Sequence, residues 1–194
     1  AGALAAYEKV NASNLASAAS FFSAAKTKEL LKADAKEVIA LMDSCVAHCP
    51  QPVTADFAPY LLERAQLYMN NDQARNAMLD YDAYYKAVNG QVNDLFYYYR
   101  EQAALKARQY QRALDDIVKA IELSPKDLTY RAEHAVINLR VGRYEESMQI
   151  LNDILKDEPK YAEAYRLLGL CQIQLKKTDE ACGNFNKAKE LGDP

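Results

Sequence analysis

Between Ala162 and Leu191 apolar residues return every three or four positions, with one break at Lys176-Lys177. Leu167, Leu168, Cys171 and Leu175 lie before the break, and Ala181, Phe185, Ala188 and Leu191 lie after it. This is the period of a helix with one buried face, so the segment reads as two amphipathic helices, Ala162 to Lys176 and Thr178 to Leu191, joined by a short turn. The pattern recurs at a step of 34 residues, the distance from Pro125 to Pro159 and from Tyr110 to Tyr144. The columns Ala113/Ser147/Ala181, Ile117/Leu151/Phe185, Ala120/Ile154/Ala188 and Leu105/Leu139/Ile173 keep that step. Three clear units therefore begin at Asp94, Leu128 and Ala162. A fourth begins near Ala58, with two extra residues absorbed around Asn89-Gly90, a turn dipeptide where an insertion is tolerated. A degenerate unit spans about Ala19 to Pro52, where Val38, Met42 and Cys45 fill the small and apolar columns, and the Ala-rich stretch Leu4 to Ser17 adds helix before it.

A lone helical hairpin cannot bury its apolar face, so units of this kind must stack and share a core. The expected fold is all-α, a right-handed α-solenoid of helix-turn-helix hairpins. Its organisation is a single array over residues 1–194, with degenerate helices and a unit over about 1–57 and repeats over about 58–93, 94–127, 128–161 and 162–194. In internal units the second helix is apolar on a second side, through Leu114/Val118/Ile121 and Met148/Asn152/Leu155. The last unit has Cys182, Asn186 and Lys189 there. That polar face predicts that no further full repeat follows, that any residues beyond Pro194 form at most a short capping helix, and that Lys189 is more exposed than Ile121 or Leu155.

Composition narrows the function. In 194 residues there are only six Gly and six Pro, too few for the many tight turns of a β-sandwich or barrel. Half of the residues are hydrophobic and 26% are charged, the proportions of a globular chain. A formal net charge of -3 argues against a protein that coats nucleic acid, which needs a concentrated Lys/Arg surface. No apolar run approaches the ~20 residues of a membrane span.

The residues Tyr165-Arg166-Leu167-Leu168-Gly169, Ala181, Phe185 and Ala188, and likewise Tyr110-Gln111-Arg112-Ala113-Leu114 with Ala120 and Pro125, resemble tetratricopeptide repeats. The resemblance is close over Ala58 to Pro194 and looser over Ala19 to Pro52. It implies helical hairpins with small residues where helices touch, and a concave groove lined by the first helices. Departures fall at Glu101, in a column that is small in the family, at Arg131, in one that is large and apolar, and at Asp193, which replaces a Pro that comes one place later as Pro194. The groove columns supply the candidate partner-binding residues: Leu62 and Gln66; Tyr98, Gln102 and Leu105; Val136 and Leu139; Arg166 and Leu170. Family members that clamp a C-terminal carboxylate need Lys with Asn or Arg repeated at such positions, and Leu62, Gln66, Thr129 and Glu133 do not supply them. A mixed apolar and amide groove suits an amphipathic helix or an extended apolar peptide.

Catalytic constellations are not apparent. There are two His, His48 and His134, and neither the phosphate-cradling Gly motifs nor the His-Glu-x-x-His and Gly-x-Ser-x-Gly signatures occur. Cys45, His48 and Cys49 share a helix face, but three ligands without a second Cys/His pair fall short of a structural zinc site, so buried thiols or a local disulfide are the readings to set against metal. Cys171 and Cys182 lie on two helices of one hairpin, close enough in level for contact. Arg64 and Asp80, and Arg100 and Asp116, are each sixteen apart and read as ion pairs across their own hairpins, with Asp80 to Arg100 as the alternative. The later units change both members together, to His134/Ile150 and Leu168/Asn184. The expectation is a non-catalytic protein–protein interaction scaffold, not an enzyme, with no cofactor or metal and a protein or peptide partner. The alternatives are a regulatory or substrate-holding subunit of a bacterial cell-envelope complex and a Cys/His metal or redox module. Four Cys leave the compartment open between periplasm or envelope and cytoplasm.

Overall fold

Helix starts are marked in the sequence by side chains that accept the free amides of a first turn. Ser17 accepts from the amide of Ser20, and Ser20 caps back in a reciprocal box. Asp34 accepts from Lys36, Asn93 from Phe96, and Asp127 from both Thr129 and Tyr130. Helix ends have a different device. The residue closing the first helix of a hairpin turns into left-handed backbone, with φ of 57° at Asp72, 59° at Arg108, 83° at Gly142 and 61° at Lys176. The next amide then reaches back to the helix: Gln73 to the carbonyl of Tyr68, Gln109 to Ala104, Arg143 to Asn138 and Lys177 to Gln172, at 2.8, 2.8, 2.9 and 2.8 Å.

The computed structural model describes residues 2–13 and 15–193. These form eleven helices: α1 (Gly2–Asn11), α2 (Ala18–Leu30), α3 (Ala35–Ala47), α4 (Ala58–Asn70), α5 (Ala74–Ala87), α6 (Asp94–Lys106), α7 (Tyr110–Leu123), α8 (Leu128–Arg140), α9 (Tyr144–Asp157), α10 (Ala162–Gln174) and α11 (Thr178–Glu190). The fold is an all-α helical repeat, and Pro194 lies outside the described residues. Two compact units are present, residues 1–92 and 93–194. In the first, α2 pairs with α3 and α4 with α5, and α1 packs on α2. Its core joins Ala18, Ala25, Val38, Met42, Cys45 and Cys49, with Phe21, Phe22 and Tyr60 against them. In the second, the hairpins are α6–α7, α8–α9 and α10–α11. Ala132, Ala135, Leu151, Ile154, Ala164, Leu167, Leu168 and Cys171 form a cluster shared between α8–α9 and α10.

Small residues set the helix spacing. Ala113 and Ala181 are fully buried, and a Cβ placed on Gly169 would sit 2.6 Å from the Phe185 ring, so α10 and α11 touch where only glycine fits. The ion pairs form within hairpins. Arg64 donates from Nε and a terminal nitrogen to the two oxygens of Asp80, at 2.8 and 2.7 Å, and Arg100 does the same to Asp116 at 2.8 and 2.6 Å. Arg64 also donates to Asp43 of α3 at 3.0 Å, which ties two hairpins of the first unit. Burial works against the Arg64 charge, yet its bonds to Asp80 hold its pKa above the usual value, while burial raises the Asp80 carboxyl despite the guanidinium. Lys189 is exposed, whereas Ile121 and Leu155 are partly buried. Val118 departs from its expected place under the next hairpin: it is 39% exposed, on the wall of a surface cleft beside Leu114, His134 and Asn138.

Gly169→Ala should lower the unfolding free energy of the second unit by about 1 to 3 kcal/mol through overpacking against Phe185. Gly183→Ala should raise it by about 0.5 to 1 kcal/mol, because a Cβ there meets nothing within 4 Å and alanine favours helix. Urea titration of the two variants tests both signs. Asp116→Ala, which strands the Arg100 charge, should cost about 3 kcal/mol, and the double change Arg100→Leu with Asp116→Asn, the residues of the α10–α11 hairpin, should cost much less. Equal losses in the single and double variants would show that the pair does not act as a unit.

Candidate functional site

The sequence-predicted residues of the second unit lie on its first helices, α6, α8 and α10. Tyr98 of α6 is half-buried, and its ring lies 5.2 Å from that of Tyr130 on α8. Tyr99 turns outward and is 48% exposed, while Tyr97 lies under the Arg100 guanidinium. Three successive tyrosines thus split between neighbour, solvent and ion pair. Tyr130 donates to Asp94 at 3.2 Å, and Ser124 donates to the same oxygen at 2.7 Å. Burial and the Asp94 charge push the Tyr130 hydroxyl up to about 12.

Among the sequence-predicted residues, Leu105, Val136 and Leu139 are partly buried, and Val136 and Leu139 rest on the α8–α10 core, so they offer edges rather than open apolar surface. Leu170 is 37% exposed. Gln102 donates its amide to Glu101 at 2.7 Å. Arg166 is engaged, with Glu163 at 2.8 Å and Asp193 at 3.0 Å. Leu62, half-buried, and Gln66, exposed and donating to Asn70 at 3.0 Å, stand on α4 in the first unit.

Two residues outside that set change the character of the face. Glu101 is completely buried, its Oε1 has no hydrogen-bond partner, and burial together with the Glu133 charge pushes its carboxyl up to about 8. Glu133 of α8 is partly buried, and burial followed by the Glu163 charge raises its carboxyl too. By its column, Glu101 is a misfit in a small position. A large acid where the family keeps a small residue was the available signal, because it forces a carboxylate between helices.

The cysteines are four free thiols. Cys45 and Cys49 are buried, Cys49 donates to the Cys45 carbonyl at 3.4 Å, and desolvation raises both thiols, Cys45 to about 12. His48 is exposed at the helix end, with Nδ1 donating to the Ser44 carbonyl at 2.8 Å, so the three residues do not converge. Cys171 meets Ser147 of α9 at 3.3 Å rather than Cys182, which faces solvent. Among the described residues no group of three or more His, Cys, Asp or Glu could hold a metal ion, and no helix is long and apolar enough to cross a membrane. His134 is a partly buried packing residue whose pKa burial lowers.

Residues 104–171 match the family model described as tetratricopeptide repeat. The heat shock protein STI1 of Saccharomyces cerevisiae is 31% identical over 97 residues, 48% of this chain and 16% of that protein. The small glutamine-rich tetratricopeptide repeat-containing protein 2 of Mycosarcoma maydis is 29% identical over 91 residues, 47% of this chain and 26% of that protein. The chain thus spans about a quarter or less of the length of these relatives. Among solved structures, YrrB, described as a TPR protein with an unusual peptide-binding site, superposes with a TM-score of 0.69 at 17% identity, covering 96% of this chain and 92% of that one. A MamA structure superposes with a TM-score of 0.71 at 19% identity, covering 90% and 91%. At these identities the structural likeness speaks for the fold.

Glu101 gives a pH signature. Its folded pKa is raised, so it costs nothing below the ordinary glutamate value and destabilises progressively as pH rises from there to about 8. Glu101→Gln should therefore stabilise the second unit little at pH 4.5 and most above pH 8, measured as the difference in urea midpoint between variant and parent across that range.

Proposed function

Because the chain carries tetratricopeptide repeats, we propose that it is a non-catalytic interaction scaffold that holds a helix or extended segment of a protein partner on the face of its first helices. The observation that supports this reading most is the set of half-buried side chains returning at one column step on α6, α8 and α10, Tyr98, Gln102 and Leu105, then Val136 and Leu139, then Arg166, with the exposed Leu170 beside them. Such a mixed apolar and amide set suits a partner helix that presents apolar anchors at i, i+3, i+4 and i+7. Leu62 and Gln66 form the corresponding stretch on α4 of the first unit.

Some tetratricopeptide repeats clamp a partner's C-terminal carboxylate. The residues here argue against such a clamp. Arg166 is already paired with Glu163 and Asp193, and the Glu133 carboxylate, which has no cation paired to it among the described residues, disfavours an incoming carboxylate.

A library of 16-residue peptides displayed on phage, selected on the folded chain and counter-selected on a Tyr98→Ala/Leu170→Glu variant of equal helicity, tests the proposal. Peptides that bind the parent and lose at least about tenfold in affinity on the variant are the expected result. Binders indifferent to the double substitution would place recognition elsewhere.

A further inference from the structure

The acids on this face specify what a partner must bring, an inference that rests on reading the face as a docking surface. Glu133 stands partly buried on α8 and takes part in no hydrogen bond or ion pair among the described residues. Its charge is felt by the Tyr98 hydroxyl of α6 and by the hydroxyl of Tyr161, which precedes α10, both of which are raised first by burial. Tyr161 donates to Glu163 at 2.9 Å, which adds a second carboxylate beside the first. Behind Glu133 lies Glu101, wholly buried, with Oε2 accepting from Gln102 and Oε1 left without a donor. A buried carboxylate oxygen without a donor is costly, and native structures seldom leave one so.

The nearby cations do not repay that cost. Arg166 is committed to Glu163 and Asp193, and Arg100 to Asp116. Arg140 is exposed at the end of α8 and forms no ion pair among the described residues, although its charge moderates both acids. No described group of three or more ligands suits a metal ion. An organic cation with one charge and an aliphatic stem fits better. The stem can lie along Tyr98 and Val136, the charge meets Glu133, and the phenol rings add cation–π attraction.

We propose that the α6–α8–α10 face recognises a lysine or arginine projecting from the apolar stripe of a partner helix, with Glu133 as its direct carboxylate partner and Glu101 as the buried charge behind it. Docking is then coupled to a proton. The groups facing Glu101 are Glu133 and Arg140 from α8, Asp116 from α7, and Tyr98 and Gln102 on its own helix, and the acids among them favour its protonated form. An arriving cation favours the ionised form, so the Glu101 proton leaves to solvent as the complex forms. Affinity rises with pH between about 6 and 8.

The phage selection supplies the probe. Selected binders should carry Lys or Arg at one fixed register relative to their apolar residues. For the best of them, replacing that residue by norleucine should weaken binding about tenfold. Glu133→Gln, with helicity checked by circular dichroism, should do the same, and the two changes together should cost little more than either alone. Calorimetry near neutral pH in two buffers of different ionisation heat should register proton release on binding by the parent chain and clearly less by Glu101→Gln. Binders with no fixed cation, a norleucine peptide that binds equally well, or binding without proton release would overturn the inference and leave the docking face standing. Failure to enrich any peptide over the Tyr98→Ala/Leu170→Glu variant would remove the docking face and the inference together.

Discussion

An amphipathic helical hairpin leaves half of its apolar surface in water unless another hairpin covers it, and this requirement governs the molecule. Within the second unit it explains why Ala135 and Ala164 are fully buried, since small side chains are what let α10 approach α8 and α9. It explains the Phe185 ring lodged over Gly169, where a single added carbon would collide. It also sets the place of polar groups. Ser147 survives in the alanine column because its hydroxyl donates to the Ala135 carbonyl at 2.8 Å and meets Cys171. A buried polar atom is tolerated there because it is bonded.

The helices, their hairpin pairing and the two intra-hairpin ion pairs were legible in the chain because they depend on short-range periodicity and on columns repeated at a constant step. Arg64–Asp80 and Arg100–Asp116 could be assigned to their own hairpins because both members of the pair vary together in later units. What the columns could not reveal was the detail of contact across helices. The match in level between Cys171 and Cys182 suggested contact, yet rotation about the helix axis aims Cys171 at α9 and Cys182 outward. Val118 lies at the expected height but on the wall of a cleft, because the neighbouring helix leaves a gap there. His48 shares a face with Cys45 and Cys49 in an ideal helix, but it closes that helix and its ring bonds the Ser44 carbonyl.

The candidate face was legible as a set of columns and illegible as chemistry. Periodicity could place Tyr98, Gln102, Val136 and Arg166 on first helices, but not that Arg166 would be neutralised by its neighbours or that Val136 would lean on the core. The electrostatic character of the face comes from Glu101 and Glu133, whose effect depends on how much water reaches them. That is a property of packed volume, not of spacing. Three tyrosines in succession likewise had to diverge, but only the packed neighbours decide that Tyr98 faces Tyr130 while Tyr99 meets water.

The left-handed residue at each hairpin turn has a consequence for how such a chain changes over generations. The turn requires a backbone conformation, and it is met by Lys32, Arg108, Gly142 and Lys176 alike, all of them exposed. At these four positions the backbone asks of the side chain mainly tolerance of positive φ, so each of those hairpins keeps one rim position whose charge can drift. A lineage can therefore recolour the edge of the repeats, from acid to base or to neutral, and so adjust solubility and long-range attraction to its surroundings while the helices and their core stay as they were.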